Sequence, residues 1–78
     1  MDEYELVERF MLRVKRNGQI SFYDTEKWVG AKFTHLLTDN KRVVYRSMIK
    51  DGCRPIYMEI PFKMILSHTD NFKVIKKN

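Results

Sequence analysis

Five cations, Lys41, Arg42, Arg46, Lys50 and Arg54, fall within residues 41–54, with Asp51 as the one opposing charge among them. Tyr57 follows three residues later. A guanidinium binds phosphate through two parallel N–H donors, which ranks Arg42 and Arg46 above the lysines as phosphate ligands. A cation beside a phenol ring can hold a phosphate while the ring offers a surface on which a base stacks. These six residues therefore suggest recognition of a nucleic-acid backbone. RNA or single-stranded DNA suits the Arg46–Tyr57 pairing better than a duplex, because stacking needs a base freed from its neighbours. Lys63, Lys73, Lys76 and Lys77 can extend the basic surface.

Catalytic chemistry finds less support. Gly18, Gly30 and Gly52 are isolated and form no phosphate-cradling loop. Cys53, His35 and His68 lack the close pairing that zinc sites use, so no metal and no cofactor is expected. A Cys53–His68 nucleophilic pair and a His35/His68 acid–base pair are arithmetically available, but neither has a supporting spacing. No enzyme is expected.

The charge is uneven. The chain carries fifteen Lys and Arg against ten Asp and Glu. Four of those acids, Asp2, Glu3, Glu5 and Glu8, lie in the first eight residues, which hold no cation. The remainder sets fifteen cations against six acids, a field that attracts polyanions or an acidic protein surface. Residues 2–8 can either complement a helix N-terminus or fold back over the basic face. A hydrophobic fraction of 44% argues against disorder. No apolar run approaches the ~20 residues of a membrane span, and the acidic N-terminus is unlike a secretory leader. A single cysteine excludes an internal disulfide and fits a reducing, cytoplasmic setting. The chain reads as one small domain, 1–78, with a core of limited size.

What must position these residues is a mixture of helix and strand. Tyr4, Val7, Phe10, Met11 and Val14 recur at three- and four-residue steps and predict an N-terminal helix ending at Gly18. A rival pattern alternates Phe10, Leu12 and Val14 before Asn17-Gly18, a hairpin signal. Met11 interrupts that alternation, which favours the helix, with a strand at Gln19–Tyr23. A second helix is predicted near residues 25–37, where Trp28, Val29, Phe33, Leu36 and Leu37 share a face; Gly30 weakens it.

Residues 41–51 suit a strand or a helix. The steps of four between Arg42, Arg46 and Lys50 keep all three on one side in either conformation. As a strand, the segment turns at Asp51-Gly52 into CRPIYMEI. A four-residue loop, Lys50 to Cys53, is expected, because a two-residue loop would break a ladder bond at Pro55. Tyr57 then lies across from Arg46. FKMILSH and FKVIKK read as strands about a TDN turn, with Lys76, Lys77 and Asn78 fraying.

The expected architecture is thus α+β, one or two N-terminal helices packed on a small antiparallel β-sheet. The alternative is winged-helix-like, with residues 25–37 and 40–51 as the helical pair. The expected function is that of a small, basic, non-enzymatic nucleic-acid-binding regulatory protein. The alternative is a small inhibitor or adaptor, of the kind phages and viruses encode, docking on an acidic surface of a larger protein. Association with a second copy through an open sheet edge and Phe62, Ile65 and Phe72 is a further expectation, giving a homodimer.

Overall fold

Asn17 and Gly18 both adopt positive φ, 49° and 78°. That is the geometry of a type I′ turn, whose twist matches the strands it joins. The hairpin pattern therefore prevails over the helical one at the N-terminus. The computed structural model describes residues 1–77, Asp51 as backbone alone. Among them the strands are β1 (Glu3–Leu6), β2 (Met11–Arg16), β3 (Gln19–Asp24), β4 (Lys32–Thr38), β5 (Val43–Asp51), β6 (Arg54–Pro61) and β7 (Phe72–Lys76). A 3-10 turn occupies Glu26–Trp28, and one short helix, α1, spans Phe62–Ser67.

Five strands form an antiparallel sheet in the order β6-β5-β4-β1-β7, while β2 and β3 make a separate two-stranded ribbon. The protein is mostly β. Neither N-terminal helices on a sheet nor a winged-helix pair forms, since residues 11–24 make the ribbon and residues 32–51 supply β4 and β5. Three local reasons explain the correction. The N-terminal apolar residues serve two elements: Tyr4 and Leu6 lie on β1, and the connection Val7–Phe10 separates them from β2. Met11 does not break the alternation, because it lies on the outer face of β2 with Arg13 and Lys15, opposite Leu12 and Val14. Gly30 takes φ 91° and ends the 3-10 turn. Its N–H then bonds to the Leu6 carbonyl, 2.8 Å, and starts the chain into β4.

The expected strand FKMILSH is instead α1, which follows Pro61 and lies against β5 and β6. Its Phe62 and Ile65, three residues apart, both face the sheet. The expected strand FKVIKK is β7. Asn78, expected to fray, lies outside the described residues.

The β5–β6 turn has two residues, with Asp51 paired to Arg54, and Gly52 at φ 64° in the first loop position suits a type II′ turn. The expected four-residue loop is thus corrected. The register slips by two residues, to Ile49 opposite Ile56 and Tyr45 opposite Ile60. Because side chains alternate with period two, this slip leaves every residue on its expected face. It also leaves Pro55, now opposite Lys50, at a non-hydrogen-bonded position beside the closing pair, so no ladder bond is lost. Pro55 sits on the edge strand β6, where its missing donor faces outward.

One sheet face carries the core. Leu6, Phe33, Tyr45, Ile60, Ile65 and Phe72 are buried together, with Tyr4, Phe10, Trp28 and Phe62 packed around them. The rings interlock: Tyr45 stacks on Phe62 at 5.1 Å, and Phe33 meets Phe72 edge-on at 5.7 Å. Tyr45 is fully buried, and its hydroxyl donates to the Asp2 carbonyl at 2.7 Å. Phe62, Ile65 and Phe72, expected to offer a surface to a second copy, are part of this core and are partly or wholly buried.

Candidate nucleic-acid interface

The opposite face of the sheet is largely open, although Val44 of β5 is buried on it. On it lie Lys73 of β7, Glu5 of β1, Lys32 and Thr34 of β4, Arg46, Met48 and Lys50 of β5, and Tyr57 and Glu59 of β6, as the strand registers require. Glu5 stands directly between Lys32 and Lys73, so those three charges answer one another. Toward the β5–β6 end the balance changes. Arg46 has Glu59 as its direct neighbour across the ladder, yet its guanidinium lies over the ring of Tyr57, 4.9 Å from the centroid. Tyr57 is the diagonal neighbour, within reach of a long side chain. It is 63% exposed and Met48 beside it 50%. Contact with the ring restricts the guanidinium, which would lower the entropy lost if its donors met a phosphate. It also leaves the ring's other surface open to a stacking base.

Of the six residues singled out in the sequence, Arg46, Lys50 and Tyr57 share this face. Arg54 pairs with Asp51 at the turn, and by strand alternation its side chain projects from the opposite face. Lys41 and Arg42 precede β5, in the connection from β4. That connection is tied by Asp39, whose Oδ1 accepts the backbone N–H groups of Lys41 and Arg42 at 2.9 and 3.0 Å. Asp39 Oδ2 accepts the Arg42 Nε–H at 3.4 Å. The Lys41 N–H contributes most to holding the Asp39 carboxyl below its usual range, and Arg42 adds to it. Arg42 is therefore an anchored loop cation, not a member of the Arg46 row, and the ion pair contributes little to stability at this exposure.

Lys41 and Arg42 instead line a cleft of about 670 Å³ between this connection and α1. Val44, Pro61 and Leu66 line it too, with Lys63, Asp39 and Glu59.

The acidic N-terminal segment neither starts a helix nor folds over the basic face. It supplies β1, a strand inside the sheet, where Glu3 pairs with Lys76 at 3.7 Å. Arg9 is held by Asp24 and Glu26. Once these pairs are set aside, six of the twelve remaining cations among the described residues lie on the two hairpins, β5–β6 and β2–β3. Sequence reasoning missed Arg13, Lys15 and Arg16 as site candidates, because they fall in the last turns of the helix it predicted to end at Gly18. The Asn17-Gly18 turn was the signal that would have found them.

The histidines have local partners. His35 Nε2 lies 2.7 Å from Thr38 Oγ1, and the His68 ring stacks on Phe10 at 3.9 Å. Cys53 is exposed in the β5–β6 turn. Among the described residues, no group of three His, Cys, Asp or Glu is placed to hold a metal, and no helix is long and apolar enough to cross a membrane. The chain matches no protein-family model, no curated protein and no solved structure.

Proposed function

We propose that this protein is a small, non-enzymatic nucleic-acid-binding protein that takes single-stranded RNA or DNA on the open face of its sheet. Arg46 lying over the exposed Tyr57 ring, with Lys50 on the same face, carries the reading. Arg46 and Lys50 hold phosphates, and Tyr57 and Met48 give an apolar surface for a base. Phosphate contacts supply most of the affinity and little sequence preference. A stacked base adds about 1–3 kcal/mol and tolerates any base.

The test is an anisotropy titration of labelled single-stranded RNA, single-stranded DNA and duplex DNA with the wild-type protein and Tyr57→Ala. The expected result is tighter binding of single strands than of duplex, with roughly a tenfold loss in the variant. Equal affinity of wild type and variant for the single strands would remove Tyr57 from the site.

A second reading has its own observation, the cleft in which Lys41, Arg42 and Lys63 surround Val44, Pro61 and Leu66. An acidic segment of a partner protein with an apolar anchor suits that lining. The ratio of absorbance at 260 and 280 nm before and after a high-salt wash separates the two. Co-purifying nucleic acid that leaves with salt supports the first, and clean protein whose capture of an acidic partner is lost in Lys41→Glu/Lys63→Glu supports the second.

A further inference from the structure

The β2–β3 ribbon is the part of the molecule that the sheet does not explain. None of its side chains is buried, although six of its twelve residues are apolar or aromatic. Its base is fixed. The fully buried Thr25 accepts the Phe10 N–H at 2.8 Å and donates from the same hydroxyl to the Phe10 carbonyl at 3.0 Å. The Thr25 N–H also bonds to that carbonyl at 3.1 Å, and Arg9 grips Asp24 and Glu26 beside it. Beyond this staple Met11, Leu12 and Arg13 line a shallow cleft with Lys63 and Met64 of α1 and His68 beside it, and the ribbon then projects to the Asn17-Gly18 turn.

Its outer face has a definite composition. The register sets Arg13 opposite Phe22 and Lys15 opposite Ile20, with Met11 on the same side. Phe22 is 62% exposed, and Met11 and Ile20 are about half exposed. Arg13, Lys15 and the adjacent Arg16 make no ion pair among the described residues, and the nearest acid on this face, Asp24, is held by Arg9. An exposed ring directly across from an arginine thus sits on a second hairpin, as a cross-strand neighbour where Tyr57 is the diagonal neighbour of Arg46.

We propose that the ribbon is a second contact for the same single strand: Phe22 stacks a base, and Arg13 and Lys15 hold the flanking phosphates. This rests on the sheet-face reading for the identity of the ligand, but on separate residues for its evidence. Charge complementarity selects the occupant. Two unpaired cations on the same face as an exposed aromatic ring suit a polyanion that also carries flat apolar rings.

The experiment titrates a labelled single-stranded RNA of about 16 nucleotides, across several salt concentrations. The proteins are wild type, Phe22→Ala, Phe22→Tyr, Arg13→Ala/Lys15→Ala and, for the sheet, Arg46→Ala/Tyr57→Ala. The expected result is roughly a tenfold loss for Phe22→Ala, with recovery in Phe22→Tyr because the ring is restored. The log–log salt slope should fall by about 1.4 in Arg13→Ala/Lys15→Ala, at about 0.7 per phosphate contact on a single strand. Loss in the sheet variant with none in the ribbon variants overturns the ribbon contact and leaves the sheet reading standing. Loss in the ribbon variants alone supports the ribbon and overturns the sheet reading. Absence of wild-type binding overturns both. Ribbon variants that change the sedimentation coefficient while RNA affinity stays constant assign the face to a second copy of the chain, and overturn the proposal.

Discussion

The two Gly-containing hairpins have the same two-residue turn length and opposite fates. In β5–β6, one strand has a neighbour on its far side: β4 pairs with β5, and α1 lies against both hairpin strands. β5 accordingly buries Val44, Tyr45 and Ser47. The β2–β3 ribbon has no third strand, and only Leu12 and Val14 of its side chains are even half-buried. A two-stranded hairpin alone is marginal in water, so the ribbon depends on its turn and on the Thr25 staple. The β5–β6 hairpin depends on its core. Residues on the ribbon are correspondingly more exposed, whereas β5 commits Tyr45 and Ser47 on one face and Val44 on the other to the fold and leaves Arg46, Met48 and Lys50 exposed.

The largest expected effect lies on the embedded hairpin. Tyr45→Ala removes a fully buried ring and the hydroxyl bonded to Asp2, and should destabilise by about 3–5 kcal/mol in a denaturant titration. Against a core this small, that should leave most of the chain unfolded. A loss below about 1 kcal/mol would mean that β5 is no better anchored than the ribbon.

Thr25→Val comes next. It leaves the Phe10 N–H without its side-chain acceptor and should cost about 1–3 kcal/mol. Ribbon amides should exchange faster in that variant than amides of β1 and β4. Uniform acceleration would show that the ribbon does not open separately.

The turns themselves give a smaller and shared effect. Gly18→Ala and Gly52→Ala meet no nearby atoms, so only backbone strain at positive φ remains, about 1–2 kcal/mol each. The comparison sharpens if exchange in Gly18→Ala rises only in the ribbon.

Alkaline pH acts on the embedded hairpin through Tyr45. Burial raises the Tyr45 phenol above its usual value of 10.0, with Tyr4, Asp2 and Glu3 acting in the same direction. Above pH 10 the unfolded chain therefore releases this proton before the folded one does, and stability falls as pH rises through that range. Tyr45→Phe should flatten that fall. An unchanged profile would show that Tyr45 does not govern it.

Smallest of all is Phe22→Ala, expected to change stability by no more than about 0.5 kcal/mol, since the ring is exposed.

How much of this was legible in the sequence depends on which interactions were local. The β-branched run at Val43–Val44 and the Asp51-Gly52 turn identified the β5–β6 hairpin as one of two readings. Its faces survived a register error because alternation has period two. The ribbon was visible in Asn17-Gly18, but the spacing of Tyr4, Val7, Phe10, Met11 and Val14 imitated a helix. Those residues belong to β1, to the connection Val7–Phe10 and to β2, and the passage from one to the next leaves no compositional mark. At six residues, α1 is too short to display a helical period. Arg46 and Tyr57 were placed on one face for the same parity reason as the hairpin faces, although the register sets Glu59, and not Tyr57, directly across from Arg46. The departure of Arg42 from their row could not be read, because it follows from Asp39 capping the preceding loop.

The salt dependence of single-stranded RNA binding for wild type and Arg46→Ala/Lys50→Ala tests the central claim most directly. Two phosphate contacts on the open sheet face predict weaker binding at every salt concentration and a log–log slope shallower by about 1.4. Identical affinity and slope in the two proteins would contradict it.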